Sequence, residues 1–141
     1  RLKSYKPLHR RMEFLRTYNN ANVLTHYGHH PIEIKNTLDA LAAHKKGKLI
    51  CVFQPHTYSR TKSLLEEFSH AFYSADEVVV TEIYAARENF DPTIKSEDLV
   101  EKLVANGVNI LMNFLKLVLI FKTVLKKMIQ SLQLDVEILI Y

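Results

Sequence analysis

Apolar runs alternating with helical patterns, joined by short connections, predict an α/β protein with a mostly parallel sheet and flanking helices. The runs begin near Val23, Lys48 and Glu77, and each leads into a segment with helix-start chemistry. A second observation narrows the class. Two polar turns, Tyr27-Gly28-His29-His30-Pro31 and Phe53-Gln54-Pro55-His56-Thr57-Tyr58-Ser59-Arg60-Thr61, stand where the chain leaves an extended segment and enters a helix. Open α/β sheets bind ligands at that edge, beyond the carboxyl ends of the strands.

Each element has its own warrant. Residues Arg1 to Asn20 are basic and aromatic without clean periodicity, Asn19 to Asn22 reads as a turn, and Val23-Leu24 opens a short strand. Pro31 suits a first helical position, where its missing N–H costs nothing. Glu33 then meets the positive end of the helix dipole. Ile34, Leu38, Leu41 and Ala42 recur at helical spacing, and Gly47 after Lys45-Lys46 marks a stop. Lys48 to Phe53 is nearly all apolar, as expected of a strand covered on both faces. Ser59 or Thr61 is expected to cap a second helix that buries Leu64, Leu65, Phe68 and Phe72. Glu77 to Ile83 is the third strand, and Tyr84 to Pro92 an irregular charged loop. Ser96 is expected to cap a third helix with Glu97 and Asp98 in its first turn and Leu99, Val100, Leu103 and Val104 as its stripe. Asn106-Gly107 ends that helix, and Val108 starts another strand.

Composition limits function. The 141 residues suffice for one domain with a sizeable core, and 48% hydrophobic with 24% charged residues is ordinary for a globular protein. A net charge of +4, with a pI near 9.1, suits an anionic small molecule. No Lys/Arg stripe interleaves with aromatics, so nucleic acid is not expected as a partner. The single cysteine, Cys51, sits in an apolar run, has no partner for an internal disulfide and fits a reducing cytoplasm. The charged start shows no signal peptide, and the absence of an initial methionine leads us to expect a fragment of something longer. The most apolar stretch, Ile110 to Phe121, falls short of the roughly 20 residues that span a bilayer, so no membrane is expected. Three glycines exclude a dinucleotide fingerprint and a Walker-type loop, so any phosphate cradle must come from elsewhere.

His29, His30 and His56 are candidates for metal ligation, general base work or hydrogen bonding to a carboxylate. The adjacent histidine pair lacks zinc-site spacing and has no acidic or cysteine partner nearby, so no metal is expected. Arg60 has the fork that grips a carboxylate or phosphate. Taken singly, each has a bland reading, Arg60 as a solvated helix residue and each histidine as a loop residue satisfied by backbone. Tyr27, Tyr58 and Tyr84 share the position but could simply pack beside the strands. The functional case rests on both turns meeting at one sheet edge.

The two turns, with Ile83-Tyr84-Ala85-Ala86-Arg87-Glu88, resemble the C-terminal domain of the Mur ligase family, a Rossmann-like fold, and within it the branch that adds L-alanine. The resemblance runs from about Arg10 to Asn109, and His9-Arg10-Arg11 with Glu13-Phe14 resembles the end of the family's central ATPase domain. The resemblance implies a hinge and the end of that domain at 1–21, the C-terminal domain at 22–109 and a divergent tail at 110–141. It also implies ATP- and Mg2+-dependent ligation through an acyl-phosphate, joining L-alanine to UDP-N-acetylmuramic acid in cytoplasmic peptidoglycan synthesis. The substrate-binding positions would be Tyr27, His29, His30, His56 and Arg60. Arg11 and His26 would lie near the nucleotide, His26 at a position where the family carries an aspartate that touches the ribose.

The chain departs from that pattern at three places. Thr25 and His26 replace two aspartates, Thr57 stands where many members carry arginine, and the tail from Ile110 is apolar and lysine-rich. Back-translated in a neighbouring frame, Asn109 to Leu115 can read Tyr-Phe-Asp-Glu-Phe-Leu. Lys127 to Gln133 can read Asn-Asp-Pro-Val-Ile-Thr in the same phase. We therefore expect a frameshifted tail, against the plainer reading of an amphipathic helix with Leu111, Leu115, Val118 and Leu125 on one face. Lacking an ATPase domain, the chain by itself is not expected to turn over. Its alternatives are the related tripeptide-recycling ligase and a non-catalytic binding module or remnant.

Overall fold

The computed structural model describes residues 11–18, 21–111 and 136–140, the last five by backbone alone. Its elements run β1 (Glu13–Tyr18), β2 (Ala21–His26), α1 (Pro31–Ala42), β3 (Leu49–Phe53), α2 (Tyr58–Ser63), α3 (Leu65–Ser69), β4 (Glu77–Val80), α4 (Ser96–Ala105) and β5 (Val136–Ile140). The sheet order is β1-β2-β5-β3-β4. β3 and β4 pair in parallel, while β5 lies antiparallel between β2 and β3. Strands β2, β3 and β4 therefore point the same way, and their carboxyl ends share one edge. The parallel bridge of Val78 to Ile110 adds a short extension outside β4, where Val108 was expected to start a strand.

β3 is buried along its whole length, as its unbroken apolar run requires. Its alternate residues Leu49, Cys51 and Phe53 join a cluster with Ile34, Leu38 and Leu41 of α1, Phe68 of α3 and Leu99 and Leu103 of α4. Phe53 stacks tilted on Phe68 and Phe72, with ring centroids 5.4 and 5.2 Å away. Replacing Phe53 by alanine would cost about 3–5 kcal/mol through lost transfer energy and the cavity left behind. Burial pushes the Cys51 thiol up to about 12, which makes it an unreactive core group. At the opposite edge of the sheet, Asp76 accepts from the Leu49 amide at 2.7 Å and Lys48 meets Glu77 at 2.6 Å, tying the starts of β3 and β4 together.

Several local expectations change. β1 is a strand where no periodicity was visible, because a bulge between Phe14 and Arg16 breaks the alternation with β2. Ala21 and Asn22 belong to β2 rather than to a turn, and Asn19 and Asn20 lie outside the described residues. Helix α1 stops at Ala42, five residues before Gly47, with the His44 ring against the Ala40 carbonyl at 3.0 Å. The second helix is two short ones. The Ser63 hydroxyl donates to the Arg60 carbonyl, a local competitor to helical pairing, and Leu64 leaves helical geometry. Its cap is Thr57, not Ser59 or Thr61. Strand β4 ends at Val80, short of Ile83. In α4, Lys95 holds the cap position, its amide donating to Asp98 at 2.7 Å, while Ser96 is buried in the first turn and Val104 is exposed. The plainer reading of the tail, a helix carrying Leu115, Val118 and Leu125, falls at 112–135, outside the described residues.

Candidate functional site

Both polar turns sit at the carboxyl edge of the sheet. The parallel pairing of β3 and β4 continues beyond the strands into the second turn. The Thr81 amide donates to the Phe53 carbonyl at 3.0 Å, the Tyr84 amide to Pro55 at 2.8 Å, and the Thr57 amide to Tyr84 at 2.8 Å. This ladder carries Tyr84 alongside His56, their rings 5.5 Å apart. On the other side the His29 ring lies 6.5 Å from His56, and Tyr27 meets His29 edge-on at 5.4 Å. Tyr27, His29, His56 and Tyr84 thus form a continuous row of rings.

Arg60, one helical turn beyond His56, brings Nη1 within 3.2 Å of His56 Nδ1 and 3.5 Å of its carbonyl. A guanidinium can only donate, so the contact makes Nδ1 the acceptor and puts the imidazole proton on Nε2. His56 is then a neutral donor through Nε2, beside the remaining donors of the Arg60 fork. Such a pair can bind a carboxylate or phosphoryl oxygen.

His30 is used differently. Its Nδ1 accepts from the Ile32 amide at 3.4 Å as the N-cap of α1, while Glu33 accepts from the His29 and His30 amides at 3.3 and 3.4 Å. Burial works to raise the Glu33 carboxyl, but those two amides and the nearby His29 and His26 rings hold it below its ordinary value. His26 turns inward, its Nδ1 accepting from the Met12 amide at 3.3 Å. Its ring lies so close over Gly28 that a Cβ there would stand 2.7 Å from Cδ2. Burial lowers the His26 pKa, with Glu33 opposing and Arg11 adding to the effect. Arg11 itself is exposed.

The geometry therefore brings Tyr27, His29, His56 and Arg60 together and sets His30, His26 and Arg11 apart from the row of rings. Tyr84 enters the site through its backbone pairing. Glu88, absent from the sequence-derived candidates, sits beneath the second turn, where its carboxylate accepts from the Ser59 amide at 3.0 Å and from the Ser59 hydroxyl. Its only sequence signal was its place in the Ile83–Glu88 segment. Among the described residues no group of three or more His, Cys, Asp or Glu could hold a metal ion. With three glycines in the sequence and no glycine-rich phosphate loop, the chain's own residues do not fit Mg2+-ATP by themselves. Among the described residues no helix is long and apolar enough to cross a membrane.

An α/β sheet with imidazole and guanidinium donors at its carboxyl edge puts the chain in the open-sheet class, in which ligands bind at that edge. Its relatives make the family specific. The family described as "Mur ligase, glutamate ligase domain" matches residues 10–136, and the chain belongs to that family. It is 50% identical over 107 residues to the UDP-N-acetylmuramate–L-alanine ligase of Clostridium acetobutylicum, covering 76% of this chain and 23% of that protein. The ligase of the same name from Alkaliphilus metalliredigens is 47% identical over 100 residues, 71% of this chain and 22% of that one. The crystal structure of UDP-N-acetylmuramate–alanine ligase from Thermotoga maritima superposes with a TM-score of 0.52 at 28% identity, over 72% of this chain and 20% of that one. The chain spans about a quarter of the length of these relatives.

Proposed function

We propose that this chain is the C-terminal, amino-acid-binding part of a UDP-N-acetylmuramate–L-alanine ligase, an ATP-dependent carbon–nitrogen ligase of peptidoglycan synthesis acting in the cytoplasm. Residues 1–21 would end the central domain and form the hinge, 22–109 would be the C-terminal domain, and 110–141 a divergent tail that still supplies β5 to the sheet of that domain. The β1–β2 hairpin crosses the first of these boundaries. The observation that carries the reading is the approach of His29 and His56, from two different turns, with Arg60 bonded to His56.

Nε2 of His56 and the free edge of Arg60 would anchor the carboxylate of L-alanine and offset charge on the activated muramate carboxyl. His29 and Tyr27 would wall the pocket on the side of α1. ATP and Mg2+ are assigned to the part of the full-length enzyme that this chain does not span; when bound there, they supply activation of the muramate carboxylate. His26 supports a second reading, a non-catalytic remnant. With Nδ1 occupied by Met12 and the ring over Gly28, it is poorly placed to replace an aspartate that accepts ribose hydroxyls.

The test is a graft. This chain replaces the matching quarter of the Clostridium acetobutylicum ligase, and phosphate release is followed with UDP-N-acetylmuramic acid, L-alanine and ATP. The ligase reading expects turnover that depends on all three substrates. A folded graft with no turnover supports the remnant, and turnover with a tripeptide in place of L-alanine supports the recycling enzyme. The isolated chain with ATP and L-alanine should release no phosphate.

A further inference from the structure

We propose that Glu88 is a positioning residue of this site: it caps α2 from 29 residues away and holds the Thr57–Arg60 turn in the conformation that lays Arg60 on His56. Its effect on ligation rests on the function proposed above; the clamp itself rests on geometry.

Helix α2 has six residues, too few to be stable without outside support. Its first turn leaves amides that need acceptors. Thr57 supplies one through Oγ1, but its contact with the Arg60 amide is long, at 3.4 Å. Glu88 supplies the stronger one, because both of its oxygens are engaged by Ser59 and its negative charge meets the positive end of the helix. The Ser59 hydroxyl, then its amide, hold the Glu88 carboxyl below its ordinary value, so it is ionised at neutral pH.

The turn needs this support. Thr57 has φ 68 and ψ 144, a conformation a β-branched residue adopts only when its surroundings impose it. Here both ends of the turn are tied to one segment. The backbone pairing of Tyr84 with Pro55 and Thr57 holds the start, and Glu88 holds the first helical turn. The segment is itself closed by the Glu88 amide donating to Ala85 at 2.9 Å. Releasing Glu88 leaves the start of the turn tied and the end loose, and Arg60 is on the loose end.

Two measurements test this. Amide hydrogen exchange on the full chain should run about tenfold faster at Ser59 and Arg60 in Glu88→Ala, the size expected for a lost charge-assisted bond, and unchanged at Val52. In the grafted ligase, Glu88→Ala should raise KM for L-alanine about tenfold, with Glu88→Gln recovering part of the loss because one acceptor oxygen remains. Unchanged exchange at Ser59 overturns the clamp. Faster exchange with KM unaltered, where Arg60→Ala does raise KM, overturns the positioning role. If Arg60→Ala also leaves KM unaltered, Arg60 is not the carboxylate anchor proposed above, and exchange by itself decides the clamp; a folded graft with no turnover is what sinks the ligase reading.

Discussion

The two turns of the site occupy equivalent places, each at the end of a strand and the start of a helix, yet they are held by opposite means. The first is secured by its neighbours: Glu33 bonds the His29 and His30 amides, and His30 caps the helix that follows. The second is secured by distant chain, through Tyr84 and Glu88. The first can form as soon as α1 forms, whereas the second exists only after β3 and β4 have paired. One histidine of the first pair is spent on architecture, while His56 of the second turn is left as a donor with Arg60 behind it. A site assembled this way has one prearranged wall and one wall that reports on the integrity of the sheet.

Substitutions should separate the two walls. In the grafted ligase, Arg60→Ala should lower kcat/KM for L-alanine by about 10²–10³, the cost of removing a donor aimed at developing charge. His30→Asn, which keeps a capping side chain, should leave kcat/KM within about twofold. Equal losses would mean that the turns do the same work. Gly28→Ala should destabilise the fold by about 1–3 kcal/mol in urea denaturation, because the new Cβ would collide with the His26 ring. Adding His26→Ala should return part of that loss, and strict additivity of the two would show that the ring is not the obstacle.

A smaller effect is expected from pH. Glu33 and Glu88 are both held below the ordinary glutamate value of 4.5. The stability they contribute is complete above that value and is lost as pH falls through their lower folded values. The urea midpoint should therefore decline below about pH 4.5, and Glu33→Gln and Glu88→Gln should each flatten the decline. A wild-type midpoint that stays level in that range would show that neither carboxylate contributes. The smallest change should come from Ile32→Ser. Ile32 is 63% exposed beside the first turn, and its loss should fall within about 0.5 kcal/mol.

Much of this was legible in the residues. The unbroken run Leu49–Phe53 marked a strand buried on both faces, and Pro31 with Glu33 marked the start of α1, because both signals act within a few residues. The Thr57 cap was not legible, since Ser59 and Thr61 are equally good capping residues by type. What selects Thr57 is the ladder that extends from β3 and β4. β1 was hidden by its bulge, and the antiparallel seat of β5 between β2 and β3 could not be read from five residues that include Glu137.

By itself the sequence determined the alternation of strand and helix from β2 to α4 and the two polar turns, which follow from local spacing and residue type, while the family followed from the resemblance of the motifs in those turns. Only the tertiary structure decided which histidines meet, that Arg60 fixes the tautomer of His56, and that Glu88 supports the second turn. The reason is physical: capping and periodicity act over a few residues, whereas ring contacts and the Glu88 bond join segments that become neighbours only when the sheet forms.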